Sequence, residues 1–373
     1  MGVKRIIVSV TNDLAGDQRV DRACRTLTEM GFRVLLVGRK LPESLPLEIR
    51  PYATRRMRLL FRKGPLFYGE YNFRLLLVLL FRRYDLLLSN DLDTLPANRM
   101  AGRIRCKPVV YDSHEYFTEV PELVNRPRIQ AFWCLLEKWL VPGITAGYTV
   151  SQPIADIYTR LYGIPFAVVR NLPNVWKEGT EEEEEDGFLS GEKGSPLIIY
   201  QGALNKGRGL EQAILAMDFL PEADLLIAGS GDLEEELHIL AGGLHLRNVR
   251  FTGKLSPGKL RAFTRRADLG ISVEEDLGLN YRYALPNKLF DYIQARIPVV
   301  VSDLPEMSRI VKEYDIGMVV ASHDPETLAA TFREVLTHRT KRQKWALNLE
   351  KAASELNWEM EKETLCAVFN RFL

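Results

Sequence analysis

Along the chain, short apolar runs rich in β-branched residues alternate with longer stretches whose apolar positions recur every three or four residues. "RIIVSV" opens the series, a helical pattern runs from Asp17 to Met30, and "RVLLVGR" follows. Further runs are "YDLLLSN", "PVVYDSHE", "GYTVSQ" and "FAVVRN". A second series begins at "PLIIYQG", passes through a helix at "EQAILAM", and continues with "ADLLIAGSG" and a helix from Asp232. It ends with "VRFTG", "ADLGISV", "IPVVVSD" and "GMVVAS". Runs this short, apolar at consecutive positions, read as strands buried on both faces. Strands that alternate with helices imply parallel sheets, so the expected class is α/β with two doubly wound domains. Ligands in such sheets bind beyond the carboxyl ends of the strands, and two such domains facing each other form a cleft.

The domain limits follow from the same rhythm. Residues 1–175 make a first domain and residues 195–356 a second. Residues 176–194, which carry the run "EEEEED" among glycine and serine, read as a solvated linker because like charges repel and small residues resist packing. The last segment, 357–373, holds a helix with a bulky apolar face and is expected to pack back on the first domain.

Composition adds little beyond a soluble globular class: 46% hydrophobic, 27% charged and a net charge of +1. That balance offers no global argument for a nucleic-acid partner. Cys24, Cys106, Cys134 and Cys366 are scattered and form no CxxC pair, which suits a reducing compartment. "MGVKRIIVSV" reads as a first strand rather than a signal peptide, and no run reaches the roughly 18 apolar residues of a membrane span. The expected location is cytoplasmic.

One segment departs from that neutrality. Residues 54–83 contain seven arginines and one lysine against a single acid, Glu70, with Phe61, Phe67, Tyr68, Tyr71 and Phe73 interleaved. Cations beside aromatics suit an anionic membrane surface. The expectation is a core helix around Leu75–Leu80, with a basic loop outside it whose Arg55, Arg56, Arg58 and Arg62 touch lipid on the inner face of the plasma membrane.

The chemistry concentrates in the second half. "ALPNKLFDYI", residues 284–293, starts a helix at Asn287-Lys288 and sets Asp291 one turn later, ahead of the strand "IPVVVSD". A helix start presents unpaired N–H groups and positive potential, which suits a phosphate. Lys288 and Asp291, three residues apart, look out from one side of the first turn. The plain alternative is a capped helix with a surface ion pair.

Five segments together carry a resemblance: "YQGALNKGRGLEQAILAM", "LLIAGSGDLEEEL" running on to "LRNVRFTGKLSPGKLRAFTRRADLGIS", "LPNKLFDYIQARIPVVVSDLPEM", "YDSHEYF" and "VVRNLPN". With these segments the chain resembles GT-B fold glycosyltransferases, most closely the retaining enzymes of family 4. The resemblance covers nearly all of the chain and is strongest from Pro196 to Val320. It implies two Rossmann-like domains and a nucleotide-diphosphate sugar as donor. It also implies that Arg208, Lys288 and Asn287 hold the diphosphate, with Asp291 on the ribose and His114 on the donor sugar. Gly16, Gly202, Asn205 and Lys206 complete the donor contacts. In the transition state the departing diphosphate gains charge, so fixed cations act directly on its departure.

The chain departs from the family pattern at three places. The family carries two glutamates eight positions apart, whereas Tyr283 and Asp291 stand here, so the first glutamate's sugar contact is either missing or supplied by another group, Glu274 or Glu275. Ala203 replaces a phosphate-binding arginine, for which Asn205 or Lys206 compensates. Gly16 stands alone where two glycines are usual. The pair Asp91 and Asp93 follows the strand "YDLLLSN" and reads as loop or cap groups near the acceptor rather than as a metal site, while Glu115, next to His114, reads as an acceptor contact or a cap. Asp17 in "DQRVDR" reads as an N-cap.

The combined expectation is a retaining glycosyltransferase with no cofactor and no essential metal. It would act on a saccharide or lipid-linked acceptor for cell-surface polysaccharide, lipopolysaccharide or glycolipid. The rivals are a sugar-nucleotide epimerase of the same fold and a non-catalytic protein that binds nucleotide sugar or membrane.

Overall fold

The computed structural model describes residues 2–176, 194–320 and 322–373. The acidic run read as a linker lies outside them. The chain divides into two compact units, one of Met1–Asn171, Gly278–Asn280 and Glu361–Leu373, the other of Leu172–Leu277 and Tyr281–Met360.

In the first unit seven strands form one parallel sheet: β1 (Arg5–Asp13), β2 (Arg33–Lys40), β3 (Ala53–Arg58), β4 (Leu86–Asn90), β5 (Val109–Ser113), β6 (Ala146–Thr149) and β7 (Phe166–Val168). Their order is β3-β2-β1-β4-β5-β6-β7. Every residue of β4 and β5 is buried, as expected of central strands with helices on both faces. The edge strand β3 differs. "ATRRMR" buries only Met57 and is a strand, not the basic loop that its charge suggests. Arginines on an exposed edge discourage pairing with another sheet, so the charge that hid the strand also suits its position.

Two helices of this unit bear on its surface and its clusters. Gln18–Glu29 starts under Asp17, whose carboxylate accepts the Val20 N–H at 3.1 Å. Gly64–Phe81 buries Phe67, Tyr71, Leu75, Val78 and Leu79 while Leu77 stays exposed. The terminal helix Trp358–Asn370 reaches the first unit through Glu361, which takes the Arg170 guanidinium at 2.6 and 3.0 Å, and through Phe369, edge-on to Phe32.

The second unit holds β8 (Leu197–Gln201), β9 (Asp224–Ala228), β10 (Val249–Gly253), β11 (Leu269–Ser272), β12 (Val299–Ser302) and β13 (Gly317–Val320). All are parallel, in the order β10-β9-β8-β11-β12-β13. Both sheets therefore reverse direction of growth at one seam, between β1 and β4 in the first and between β8 and β11 in the second. Ligand sites of doubly wound sheets form beyond such a seam.

Candidate active site

Close backbone approaches build the second unit's seam. Gly202 leaves β8 at φ 135°, and a Cβ on Gly229 would lie 1.8 Å from the Gly202 carbonyl oxygen. Gly209, at φ 68°, would place a Cβ 2.0 Å from the Val273 carbonyl oxygen. Only glycine fits there, so the loop 202–209 lies tight against the end of β11 and carries Arg208 to it. The helix Asn287–Ala295 is fixed over the same seam by Tyr292. The buried Tyr292 hydroxyl lies 3.2 and 3.1 Å from the carbonyls of Ile199 and Ile271, and it accepts the Gln201 N–H at 3.2 Å.

Charge collects where loop and helix meet. Glu274, two residues beyond β11, is buried, with Oε1 at 2.7 Å from Lys288 Nζ and 3.6 Å from the Arg208 guanidinium. The Ser272 hydroxyl donates to Oε2 at 2.8 Å. Burial works against this carboxylate's charge, but Lys288 and Arg208 outweigh it and hold the group below its usual range. Lys288 also lies 4.0 Å over the Tyr200 ring, and Arg208 lies 5.1 Å over Tyr281. Lys288 is sealed at 6% exposure, while Arg208 keeps 28%. The Arg208 Nε is buried with no hydrogen-bond partner among the described residues. Two cations held by one carboxylate, one of them with an unmatched donor, make a place for an anion.

This arrangement corrects two expectations. Lys288 and Asp291 do not share an outer face of the first turn, because Glu274 draws Lys288 inward. Glu274 itself is turned to the cations and is buried, so the geometry makes it their anchor rather than a sugar contact. Asp291 instead accepts the Gln201 side-chain N–H at 2.7 Å, and the Gln201 oxygen accepts the Thr264 hydroxyl at 2.7 Å. Asn287 is the exposed first residue of its helix. Asn205 accepts the Asp232 N–H at 3.3 Å, while Lys206 is exposed and its carbonyl accepts the Tyr281 hydroxyl. The Glu275 N–H is tied to the Gly207 carbonyl at 2.9 Å, and Tyr283 is half-buried.

In the first unit a different cluster forms beyond β1, β4 and β5. Arg19 is buried and forks onto Asp112, with distances of 2.7 and 3.4 Å. The other side of Asp112 meets His114 Nε2 at 3.0 Å. Asp91, in the left-handed region at φ 57°, accepts the His114 backbone N–H at 2.9 Å and faces its Nδ1 at 3.2 Å. Burial disfavours a charged ring, yet Asp91 and Asp112 together push the His114 pKa well above its ordinary value. Asp112 feels the same burial, and Arg19 and His114 bring it down to about 2. Both ring nitrogens of His114 are thus taken up by carboxylates, and the imidazolium is held in place.

Asp93 has a separate environment. It accepts the Thr11 hydroxyl at 2.6 Å, and burial followed by the nearby Asp91 pushes its pKa up to about 7. Asp91 and Asp93 therefore serve different partners. Among the described residues no group of three or more His, Cys, Asp or Glu side chains is arranged to hold a metal. Glu115 accepts from the Asn280 side chain at 3.3 Å, and Gly16 lies in the exposed turn after β1. Of the four arginines expected at a membrane, Arg55, Arg58 and Arg62 are exposed, whereas Arg56 is turned to Asp13 at 2.9 Å.

Sequence reasoning missed Arg19, Asp112 and Gln201 as members of these clusters. Asp112 lies only two residues before His114, whereas Arg19 and Gln201 meet their partners across 93 and 90 residues, so no local spacing points to those two. Only the fold does.

The comparisons with known proteins agree with this architecture. Residues 17–175 match the family model Glycosyltransferase Family 4, and residues 181–352 match Glycosyl transferases group 1. Between them the two matches reach into both units, and the chain belongs to these glycosyltransferases. A phosphatidyl-myo-inositol mannosyltransferase of Mycobacterium leprae is 27% identical over 161 residues, which is 41% of this chain and 39% of that one. The matches to curated relatives span only 28 to 45% of those proteins' lengths. Among solved structures, sucrose-phosphate synthase from Thermosynechococcus elongatus superimposes with a TM-score of 0.78 at 17% identity, covering 99% of this chain and 98% of that one. Anabaena HepE, solved with UDP-glucose, gives 0.73 at 13% identity, covering 99% and 100%. At such identities the likeness establishes the fold, which is GT-B.

Proposed function

We propose that the chain transfers a sugar from a nucleotide-diphosphate sugar to a saccharide or lipid-linked acceptor, with retention, in the synthesis of cell-surface polysaccharide, lipopolysaccharide or glycolipid. One observation carries the reading. Arg208 and Lys288 are held by Glu274 beyond the seam of the second sheet, with the Arg208 Nε unmatched. A diphosphate oxygen would meet the exposed part of this guanidinium, whose side chain keeps 28% of its surface. The bond from the sugar to the diphosphate breaks with negative charge building on the leaving oxygen. A preformed guanidinium fork and ammonium stabilise that charge without reorganising. Asp291, steadied by Gln201, would accept from the ribose hydroxyls. Asn287, Gly202, Asn205 and Lys206 would line the donor's path across the loop and helix start. In the first unit we assign His114 to sugar recognition, and Gly16, Asp91, Asp93 and Glu115 to its neighbourhood.

In this reading the protein's own cations do what a divalent metal does elsewhere, so transfer should survive EDTA. Complete loss on chelation, restored by Mg²⁺ or Mn²⁺, would return Asp91 and Asp93 to a catalytic role. The decisive experiment is a thermal-shift screen against nucleotide-diphosphate sugars, followed by an assay of slow donor hydrolysis without acceptor. A ligand that binds only the folded protein raises its melting temperature by mass action. Stabilisation by one donor family together with hydrolysis supports the reading. No stabilisation by any donor, and no hydrolysis, overturns it.

A further inference from the structure

The first unit carries a further surface, formed by three of its helices and separate from the cluster of Arg19, Asp112 and His114. Helix Gly64–Phe81 packs against Leu95–Ile104, which in turn packs against Pro127–Leu140. The rings of Tyr68 and Trp133, 5.1 Å apart and edge to face, join the first helix to the third. Each helix buries one stripe and leaves a second apolar one in solvent. On the first, Phe73, Leu77 and Phe81 recur every four residues; on the second, Met100 and Ile104 do so. The third exposes Phe132, Leu135 and Trp139. Exposure reaches 84% at Phe81 and 72% at Trp139. Single exposed apolar residues are ordinary, but apolar stripes on three adjoining helices are not.

The fully exposed charges of the three helices are positive, although Glu119, just before the third helix, accepts from the Gln130 side chain at 3.3 Å. Arg126, Arg128 and Lys138 are exposed on or beside the third helix, and its one acid, Glu137, is buried and accepts from the Tyr162 hydroxyl at 2.6 Å. The second helix has no acid and exposes Arg103. On the first, Glu70 is occupied by the Leu60 and Phe61 N–H groups and by Arg74. Between that helix and β3 lies a groove of about 500 Å³ lined by Arg55, Arg58, Arg74, Arg82, Leu77 and Phe81, among others, with no carboxylate in its wall. Arg55, Arg58 and Arg82 make no ion pair among the described residues.

We propose that this three-helix face docks on an anionic lipid bilayer. Phe73, Phe81, Phe132, Leu135 and Trp139 would enter the boundary between headgroups and acyl chains. The arginines of the β3 groove would take lipid phosphates. Charge selects the occupant: a second copy would bring cations against cations, whereas an anionic leaflet complements both halves of the surface. No helix among the described residues is long and apolar enough to cross a membrane, so the chain lies on the surface through these helices. The site is larger than the basic segment evident in the sequence, because the third helix shows its apolar stripe only once Trp133, Glu137 and Leu140 are seen to be buried. The proposal does not depend on sugar transfer, since lipid binding needs no donor.

The test is co-sedimentation of the full chain with phosphatidylglycerol-rich and with pure phosphatidylcholine vesicles, in low and high salt. Two variants are compared with wild type, F132S/L135S/W139S and R55S/R58S/R82S, each first shown to melt cooperatively. Wild type should pellet with anionic vesicles only, and each variant should lose at least about tenfold in partitioning. High salt should release the wild type, because screening shortens the reach of the surface potential to about 3 Å at 1 M. Equal pelleting of all three proteins would overturn the proposal, as would equal pelleting with phosphatidylcholine. So would a wild-type dimer in light scattering that F132S/L135S/W139S converts to monomer without any vesicle binding, because the occupant would then be a second copy.

Discussion

The two units share one topology and use its seam differently. Beyond β1 and β4 the charges close on themselves: Arg19 serves Asp112, Asp112 serves His114, and His114 serves Asp91. Beyond β8 and β11 the charges stay open. Glu274 answers Lys288 and only partly Arg208, whose Nε has no partner among the described residues. The first cluster is a closed set of imidazolium and carboxylates, whereas the second holds a surplus of positive charge over a glycine-built loop. Topology alone thus does not make an anion site. In the proposed function the excess cation does, together with an anchor that keeps it aimed.

The contrast breaks most sharply at Glu274. Glu274→Gln leaves two neighbouring cations without their buried counter-charge, so urea denaturation should show a loss of about 3–5 kcal/mol. The same variant should be rescued more strongly than wild type by added nucleoside diphosphate. If Glu274 contacts sugar instead, turnover should fall while stability holds. Next in size is Arg208→Ala. Removing a donor that acts on developing charge lowers turnover by about 100-fold. Affinity for the intact donor should fall by much less, since the leaving oxygen carries its charge late. A loss confined to donor affinity, seen by calorimetry beside steady-state kinetics, would reduce Arg208 to a ground-state contact.

How far the sequence alone reached depends on which contacts are local. Central strands such as "LIIYQ" and "VVYDS" announced themselves, because burial on both faces leaves consecutive apolar residues up to the polar strand end. β3 did not, since an edge strand of arginines has one buried residue and is defined by its pairing with β2. Lys288 and Asp291 were singled out from the helix start and Arg208 from the family resemblance, and the structure sets Lys288 and Arg208 on Glu274 and Asp291 on Gln201. These anchors were not legible as such. Gln201 meets Asp291 across 90 residues, and nothing in "YQG" says that its side chain turns to that helix. Glu274 stands in the sequence as a stray acid, and its burial between two cations is visible only in three dimensions.

Smaller effects sharpen the comparison. Asp291→Asn keeps the Gln201 contact in shape but removes the charge. A charge-assisted hydrogen bond contributes about 1.5–3 kcal/mol, so donor affinity should drop at least about tenfold. Unchanged affinity would place the ribose elsewhere.

The first unit's cluster should show itself in the pH dependence of stability. His114, raised above its ordinary value, contributes stability that is whole below about pH 6.5 and is lost as pH climbs through the folded value. Asp112, lowered to about 2, contributes in the opposite sense, its stability being lost as pH falls toward that value. Asp93, raised to about 7, favours the fold when protonated, so its share declines as pH rises from about 4 to 7. Asp93→Asn should flatten that decline, which the linkage puts at about 4 kcal/mol over the three pH units. Urea midpoints measured across this range would decide it, and an unchanged slope would mean that Asp93 ionises without cost.

The most direct test is calorimetric titration of a nucleoside diphosphate and the matching monophosphate into wild type, Arg208→Ala and Asp291→Asn. The product diphosphate carries the charge that the leaving group acquires, so wild type should bind it at least about tenfold more tightly than the monophosphate. Arg208→Ala should shrink that preference, and Asp291→Asn should weaken both ligands alike while keeping it. Equal binding of the two ligands by wild type, or a preference untouched in Arg208→Ala, would contradict the claim that Glu274 holds Lys288 and Arg208 ready for a departing diphosphate.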